Sequence, residues 1–178
     1  MDSIDQNHLI QIVREATTDV LSTMFGMDVT EEPAFVEHAG APSTEGVLAF
    51  VGLAGTWAGT GAIGCSASLA CHLCSQMLMI EATAMNDDVL DAVAELTNMV
   101  IGNVKTKLEE ELGPMGLSIP TVIYGRNFSS RSVGNADWTV VPFRYVDERL
   151  LVQVCLVPKG ESKRTRIAVE ESSAIGRV

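Results

Sequence analysis

Three polar side chains that could act together stand in the stretch Asp91-Ala-Val-Ala-Glu95-Leu-Thr-Asn98-Met-Val-Ile-Gly102. Read as an α-helix at about 100° per residue, Asp91, Glu95, Asn98 and Gly102 fall within a band of roughly 60°. Val89, Leu90, Val93, Leu96, Val100, Ile101, Val104 and Leu108 take the opposite side. Such a helix packs its back into a core and turns two carboxylates and an amide toward water or a partner.

Two of the four residues are poor choices for a merely solvated face. Exposed helical positions favour Lys, Glu, Gln or Ala, which lose little rotamer freedom there, and an interior glycine costs about 1 kcal/mol relative to alanine. Asn98 and Gly102 break that preference. Gly102 also points away from the apolar side, so packing against the core does not account for it, whereas close approach of another molecule does. The spacing alone is equally what any helix with a polar side and a stray glycine would show.

The elements that position this helix can be read along the chain. Asp5 to Phe25 is amphipathic, with Leu9, Ile10, Val13, Val20, Leu21 and Met24 on one face and Glu15, Asp19 and Ser22 on the other. Gly26 caps its end. Met27 to Glu37 holds a short strand broken by Pro33, which suits a sheet edge, and His38 to Glu45 reads as a loop. Gly46 to Ala54 and Trp57 to Ser66 read as a hairpin turning at Gly55-Thr56, its glycines admitting a closely packed helix or marking bulges. Ser66 or Ser68 caps a helix to about Ile80; Asn86 or Asp87 caps the stripe helix, which runs to the Gly113-Pro114 stop.

Beyond the stop, Ile119 to Tyr124 reads as a strand with Pro120 near its start, and Arg126 to Ala136 as a polar loop. Asp137 to Tyr145 and Leu150 to Val157 form a second hairpin. Residues 1–158 make one domain. Residues 159–178 read as a polar, loosely ordered tail whose Lys159, Lys163, Arg164 and Arg166 are solvated.

The order repeats: helix, short strand with proline, hairpin, then the same again from the stripe helix onward. Laying Gly26 over Gly102 puts Ser22 on Asn98, Asp19 on Glu95 and Glu15 on Asp91, a degenerate copy of the stripe. The predicted fold is α+β, a pseudo-twofold repeat of helix plus three strands with helices on one side of a mainly antiparallel sheet.

Composition narrows the function. The chain has 178 residues, 47% hydrophobic and 20% charged, enough for a substantial core. A net charge of -11 argues against a non-specific nucleic-acid binder, which needs Lys and Arg clusters. No apolar run approaches the roughly 20 residues of a membrane span, and the acidic start Met1-Asp2-Ser3-Ile4-Asp5 is unlike a secretory signal; a cytoplasmic protein without membrane contact is expected. Cys65, Cys71, Cys74 and Cys155 are too few for a disulfide framework. Cys71-His72-Leu73-Cys74 has CxxC spacing, but there is no second ligand pair to complete a zinc site, and core packing is the simpler reading.

The Asp91, Glu95 and Asn98 spacing resembles the signature of the CheC, CheX and FliY phosphatases of bacterial chemotaxis: Asp or Ser, Glu four residues later, Asn three after that. The resemblance continues through Thr23-Met24-Phe25-Gly26, the hairpin of Val47 to Cys65, and Leu117-Ser118-Ile119-Pro120-Thr121-Val122. A single intact motif, on the second of the repeated helices, is similar to CheX-like members. The resemblance implies a phosphatase that hydrolyses the aspartyl phosphate of a CheY-like response-regulator receiver domain. Asn98 would position the attacking water, Glu95 would pair with the receiver's lysine, Asp91 would assist docking, and Gly102 would give clearance. It further implies no cofactor bound by this chain, Mg²⁺ held by the receiver, and a possible homodimer associating through the sheets. A non-catalytic module binding a receiver domain or other signalling protein is the alternative.

Overall fold

The structure is a computed structural model that describes residues 4–38, 44–133, 137–158 and 166–171. The first helix, α1 (Gln6–Phe25), opens at Asp5, whose carboxylate accepts from the amides of Asn7 and His8, and closes at Gly26 with φ 62°. These ends satisfy backbone groups that a helix leaves orphaned. Strands β1 (Thr30–Glu31), β2 (Phe35–Glu37), β3 (Thr44–Gly55) and β4 (Trp57–Cys65) follow. Next come α2 (Ala67–Leu78), capped by Ser66, and α3 (Asp87–Leu112), capped by Asn86 through a 2.9 Å bond from the Val89 amide. Strands β5 (Met115–Leu117), β6 (Thr121–Val133), β7 (Trp138–Tyr145), β8 (Glu148–Pro158) and β9 (Arg166–Glu171) complete the order.

The strands form one nine-stranded sheet in the order β1-β7-β8-β4-β3-β6-β9, with β2 also on β7 and β5 also on β3. Every recorded pairing is antiparallel. Side-chain alternation along the strands separates two faces. Val47, Ala49, Val51, Ile63, Val141, Phe143, Val152 and Val154 join the helices in the main core. Leu48, Ala62, Trp138, Val140 and Cys155 make a smaller buried cluster from the intervening positions. The helices therefore lie on one side of the sheet, as the α+β reading expects.

The two halves interlock. After α1, β1 and β2 run in succession along the same edge of β7, with Pro33 between them. After α3, β5 and β6 run in succession along the same edge of β3, with Pro120 between them. Each half thus lends its proline-broken strand pair to the other half's hairpin, and the hairpins join through β4 and β8, paired from Trp57↔Pro158 to Cys65↔Leu150. The proline explains the break, because it removes a donor from the ladder.

Two expectations need correction. The stretch read as a polar loop, Arg126 to Ala136, is strand as far as Val133; residues 134–136 lie outside the described residues. Its partner is β9, inside the segment read as tail, with Phe128↔Glu171 and Val133↔Arg166 as end pairs. Ser- and Arg-rich stretches carry little intrinsic strand signal, so this pairing depends on a segment more than thirty residues away. The remainder of 159–178, including Lys159, Lys163 and Arg164, lies outside the described residues. Among the described residues, no helix is long and apolar enough to cross a membrane.

One glycine sets the distance between α3 and the sheet. A Cβ built on Gly61 of β4 would stand 2.5 Å from Cγ2 of Ile101, and Ile101 is fully buried with no room to yield. Gly61→Ala should therefore lower unfolding free energy by about 1–3 kcal/mol through overpacking, measured by urea denaturation against the parent chain.

Candidate functional site

The stripe forms as the sequence predicts it. Val89, Val93, Leu96, Val100, Ile101, Val104 and Leu108 of α3 are buried, and Leu90 packs partly buried against the same core. That leaves Asp91 and Glu95 exposed and Asn98 and Gly102 half-buried on the outer side. Glu95 and Asn98 are separated by about 4.5 Å of helix axis. The side-chain hydrogen bonds of α3 run through Thr97, Lys105, Thr106, Lys107, Glu109 and Glu111. Among the described residues, Asp91, Glu95 and Asn98 have none, so their polar atoms face outward uncommitted.

Gly102 has no internal reason to be glycine. A Cβ there would meet only Cδ1 of Leu117, at 3.6 Å, an ordinary van der Waals contact, and its φ is not positive. Gly102→Ala should accordingly leave the fold intact and raise unfolding free energy by up to about 1 kcal/mol through helix propensity. A fall in the thermal midpoint would contradict this account.

α1 lies antiparallel to α3, tied by Lys107 Nζ to Glu15 Oε2 at 2.7 Å and by His8 Nε2 to Glu111 Oε1 at 2.6 Å. The comparison of the two helices corrects the repeat alignment by one turn. Thr17 and Thr97 are both fully buried, and each hydroxyl donates 2.7 Å to the carbonyl four residues back, at Val13 and Val93. Superposing these threonines also matches Val20 with Val100 and Leu21 with Ile101, all buried. The counterparts of Asp91, Glu95, Asn98 and Gly102 are then Gln11, Glu15, Thr18 and Ser22, not the set that begins with Glu15 and includes Asp19. A shift of four residues nearly restores a helical face, so the polar pattern alone could not distinguish the two alignments. The repeated Glu-x-Thr of Glu15-Ala16-Thr17 and Glu95-Leu96-Thr97 was the available signal.

Glu15 has internal partners that Glu95 lacks among the described residues. Gln11 Nε2 donates to its Oε1 at 3.0 Å while Lys107 holds Oε2. The Lys107 hydrogen bond, then that of Gln11, holds the Glu15 carboxyl below its ordinary range.

The cysteines pack rather than react. All four are free and buried. Burial pushes the Cys65 thiol up to about 12 and that of Cys155 to about 11, and also raises Cys71 and Cys74. His72, between Cys71 and Cys74, turns to Tyr145 instead, with Nε2 3.1 Å from the phenol oxygen. Among the described residues, no three His, Cys, Asp or Glu side chains gather as metal ligands. A groove beside α2, of about 530 Å³, is lined by Cys71, His72, Ser75 and Met85 among others; Asp91, Glu95 and Asn98 take no part in it.

A family model described as chemotaxis phosphatase CheX matches residues 47–144, which contain the whole stripe. The chain belongs to the CheX family. The CheY-P phosphatase CheX of Thermotoga maritima is 30% identical over 136 residues, spanning 75% of this chain and 84% of that protein. The crystal structure of CheX from Desulfovibrio desulfuricans superposes with a TM-score of 0.76 at 27% identity, covering 84% of this chain and 99% of that one. The CheX–CheY complex with beryllofluoride and magnesium from Borrelia burgdorferi gives 0.65 at 24% identity, covering 86% and 99%. The protein is thus a phosphatase of the CheX type.

Proposed function

We propose that the α3 face hydrolyses the aspartyl phosphate of a CheY-like receiver domain. The observation that carries this reading is that Glu95 and Asn98 share one outward face and have no side-chain partners among the described residues. Membership of a phosphatase family supports it, as do a relative named for action on CheY-P and a structural neighbour crystallised with CheY.

Hydrolysis of an acyl phosphate asks mainly for an in-line nucleophile and compensated charge. The receiver brings the phosphoryl group and, in this reading, its own Mg²⁺; this chain supplies position. The Asn98 amide both accepts and donates hydrogen bonds without titrating near neutral pH, so it can hold a water opposite the leaving oxygen. The water oxygen bonds to phosphorus, the bond from phosphorus to the aspartate oxygen breaks, and the carboxylate leaves with the electron pair. Inorganic phosphate forms, and the water proton passes to phosphate or solvent.

Glu95, one turn back, pairs with the receiver's lysine and orients the complex through a charge-assisted hydrogen bond. Asp91, a further turn back near the α3 N-terminus, adds to docking. Gly102 leaves room for the receiver's loops beside Asn98.

Asn98→Ala should slow loss of phosphate from a phosphorylated receiver by on the order of 10²-fold, the cost of a misplaced nucleophile. Glu95→Lys should instead raise the receiver concentration needed for half-maximal rate. Phosphoryl decay as fast with Asn98→Ala as with the parent chain would refute the assigned chemistry. The reading also carries a homodimer, supported by the family resemblance alone; sedimentation equilibrium should then give twice the 19.0 kDa chain mass.

A further inference from the structure

We infer that α1 carries a second, closed copy of the receiver-docking face, and that Lys107 closes it by occupying from within the position a receiver lysine would take on Glu15. The inference rests on the proposed function of α3 and extends it to the stoichiometry of docking.

The alignment fixed by Thr17 and Thr97 makes Glu15 the counterpart of Glu95. Gln11 and Glu15 are exposed and Thr18 is half-buried, the same sequence of exposures as Asp91, Glu95 and Asn98. The two carboxylates differ in one respect. Both oxygens of Glu15 are engaged, by Gln11 at 3.0 Å and Lys107 at 2.7 Å, whereas Glu95 has no such partner among the described residues. Eighty residues before Lys107 stands Met27, apolar and buried, just past the end of α1. The repeat therefore supplies a lysine to Glu15 and none to Glu95.

Two further differences prevent catalysis on α1. Thr18 replaces Asn98, and its hydroxyl, shorter than a carboxamide, is buried and presents no oxygen on the outer face. Its Oγ1 has no hydrogen-bond partner among the described residues. Ser22 replaces Gly102, adding a side chain where the active face has none. Neither substitution blocks ion pairing at Glu15, so the contact that excludes a receiver cation is Lys107. The Lys107 and Glu15 side chains are about one-third to one-half exposed, and such pairs contribute little to stability, so the contact can be removed with the fold retained.

The test is made in the Asn98→Ala background, adding Thr18→Asn, Ser22→Gly and Lys107→Ala, with phosphoryl decay of a CheY-type receiver as the readout. Recovery of at least tenfold over Asn98→Ala, lost when Lys107 is restored, is the expected result. Decay at the Asn98→Ala rate from a protein with parental circular dichroism overturns the inference. If that variant does not fold, Ser22→Gly with Lys107→Ala decides through calorimetric titration with beryllofluoride-treated receiver and Mg²⁺. Two receivers bound per chain support the inference and one overturns it. Wild type against Asn98→Ala in the same decay assay separates the two readings, since equal rates there sink the proposed function itself, and this inference with it.

Discussion

The seating of Ile101 against the bare backbone of Gly61 is the contact on which the outward polar face of α3 depends. It brings α3 down onto the middle of the sheet, where the helix buries Val93, Leu96, Val100 and Val104. With its inner side buried, α3 keeps an outer arc that Asp91, Glu95, Asn98 and Gly102 share with Asn103, Thr106 and Glu110. The orientation of the polar groups therefore follows from packing. Among the described residues no side-chain hydrogen bond holds them, which leaves their donors and acceptors available to a second molecule.

The rigidity behind that arc comes from the way the halves interlock. β1 and β2 lie on β7, β5 and β6 on β3, and the hairpins meet at β4 and β8. Neither half can complete its sheet alone. At the outer edge, Glu32 links the halves again by ion pairs to Arg144 and Arg149, while Arg14 of α1 reaches Glu31 at 3.1 Å. α1 is thus tied both to the sheet edge and, through Lys107, to α3.

Most of this was legible because the signals are local. The apolar period of α3, the Asn86 cap and the Gly113 stop place the helix to within a residue or two, and Pro33 and Pro120 mark the breaks between β1 and β2 and between β5 and β6. The 126–133 strand was not legible, because beyond Phe128, where its pairing with β3 ends, its polar residues are paired with the distant β9. The alignment of the two helices was misread for a different reason: a four-residue shift rotates a helical face by only about 40°, so polar residues match nearly as well in either alignment. Only the buried threonines, whose hydroxyls must find a carbonyl inside the core, select between them.

A corrected alignment changes what the first helix means. Under the earlier one, α1 lacked the motif by drift, with Asp19 standing for Glu95. Under the structural one, the glutamate is kept and paired with a lysine from the very helix that bears Glu95 and Asn98. A carboxylate satisfied at both oxygens offers a foreign ammonium only exchange of one partner for another, whereas an unsatisfied one offers a net gain. The difference between Glu15 and Glu95 is therefore electrostatic, set by Lys107 and Gln11, and it separates the two faces at the one position of the four where their residues are the same.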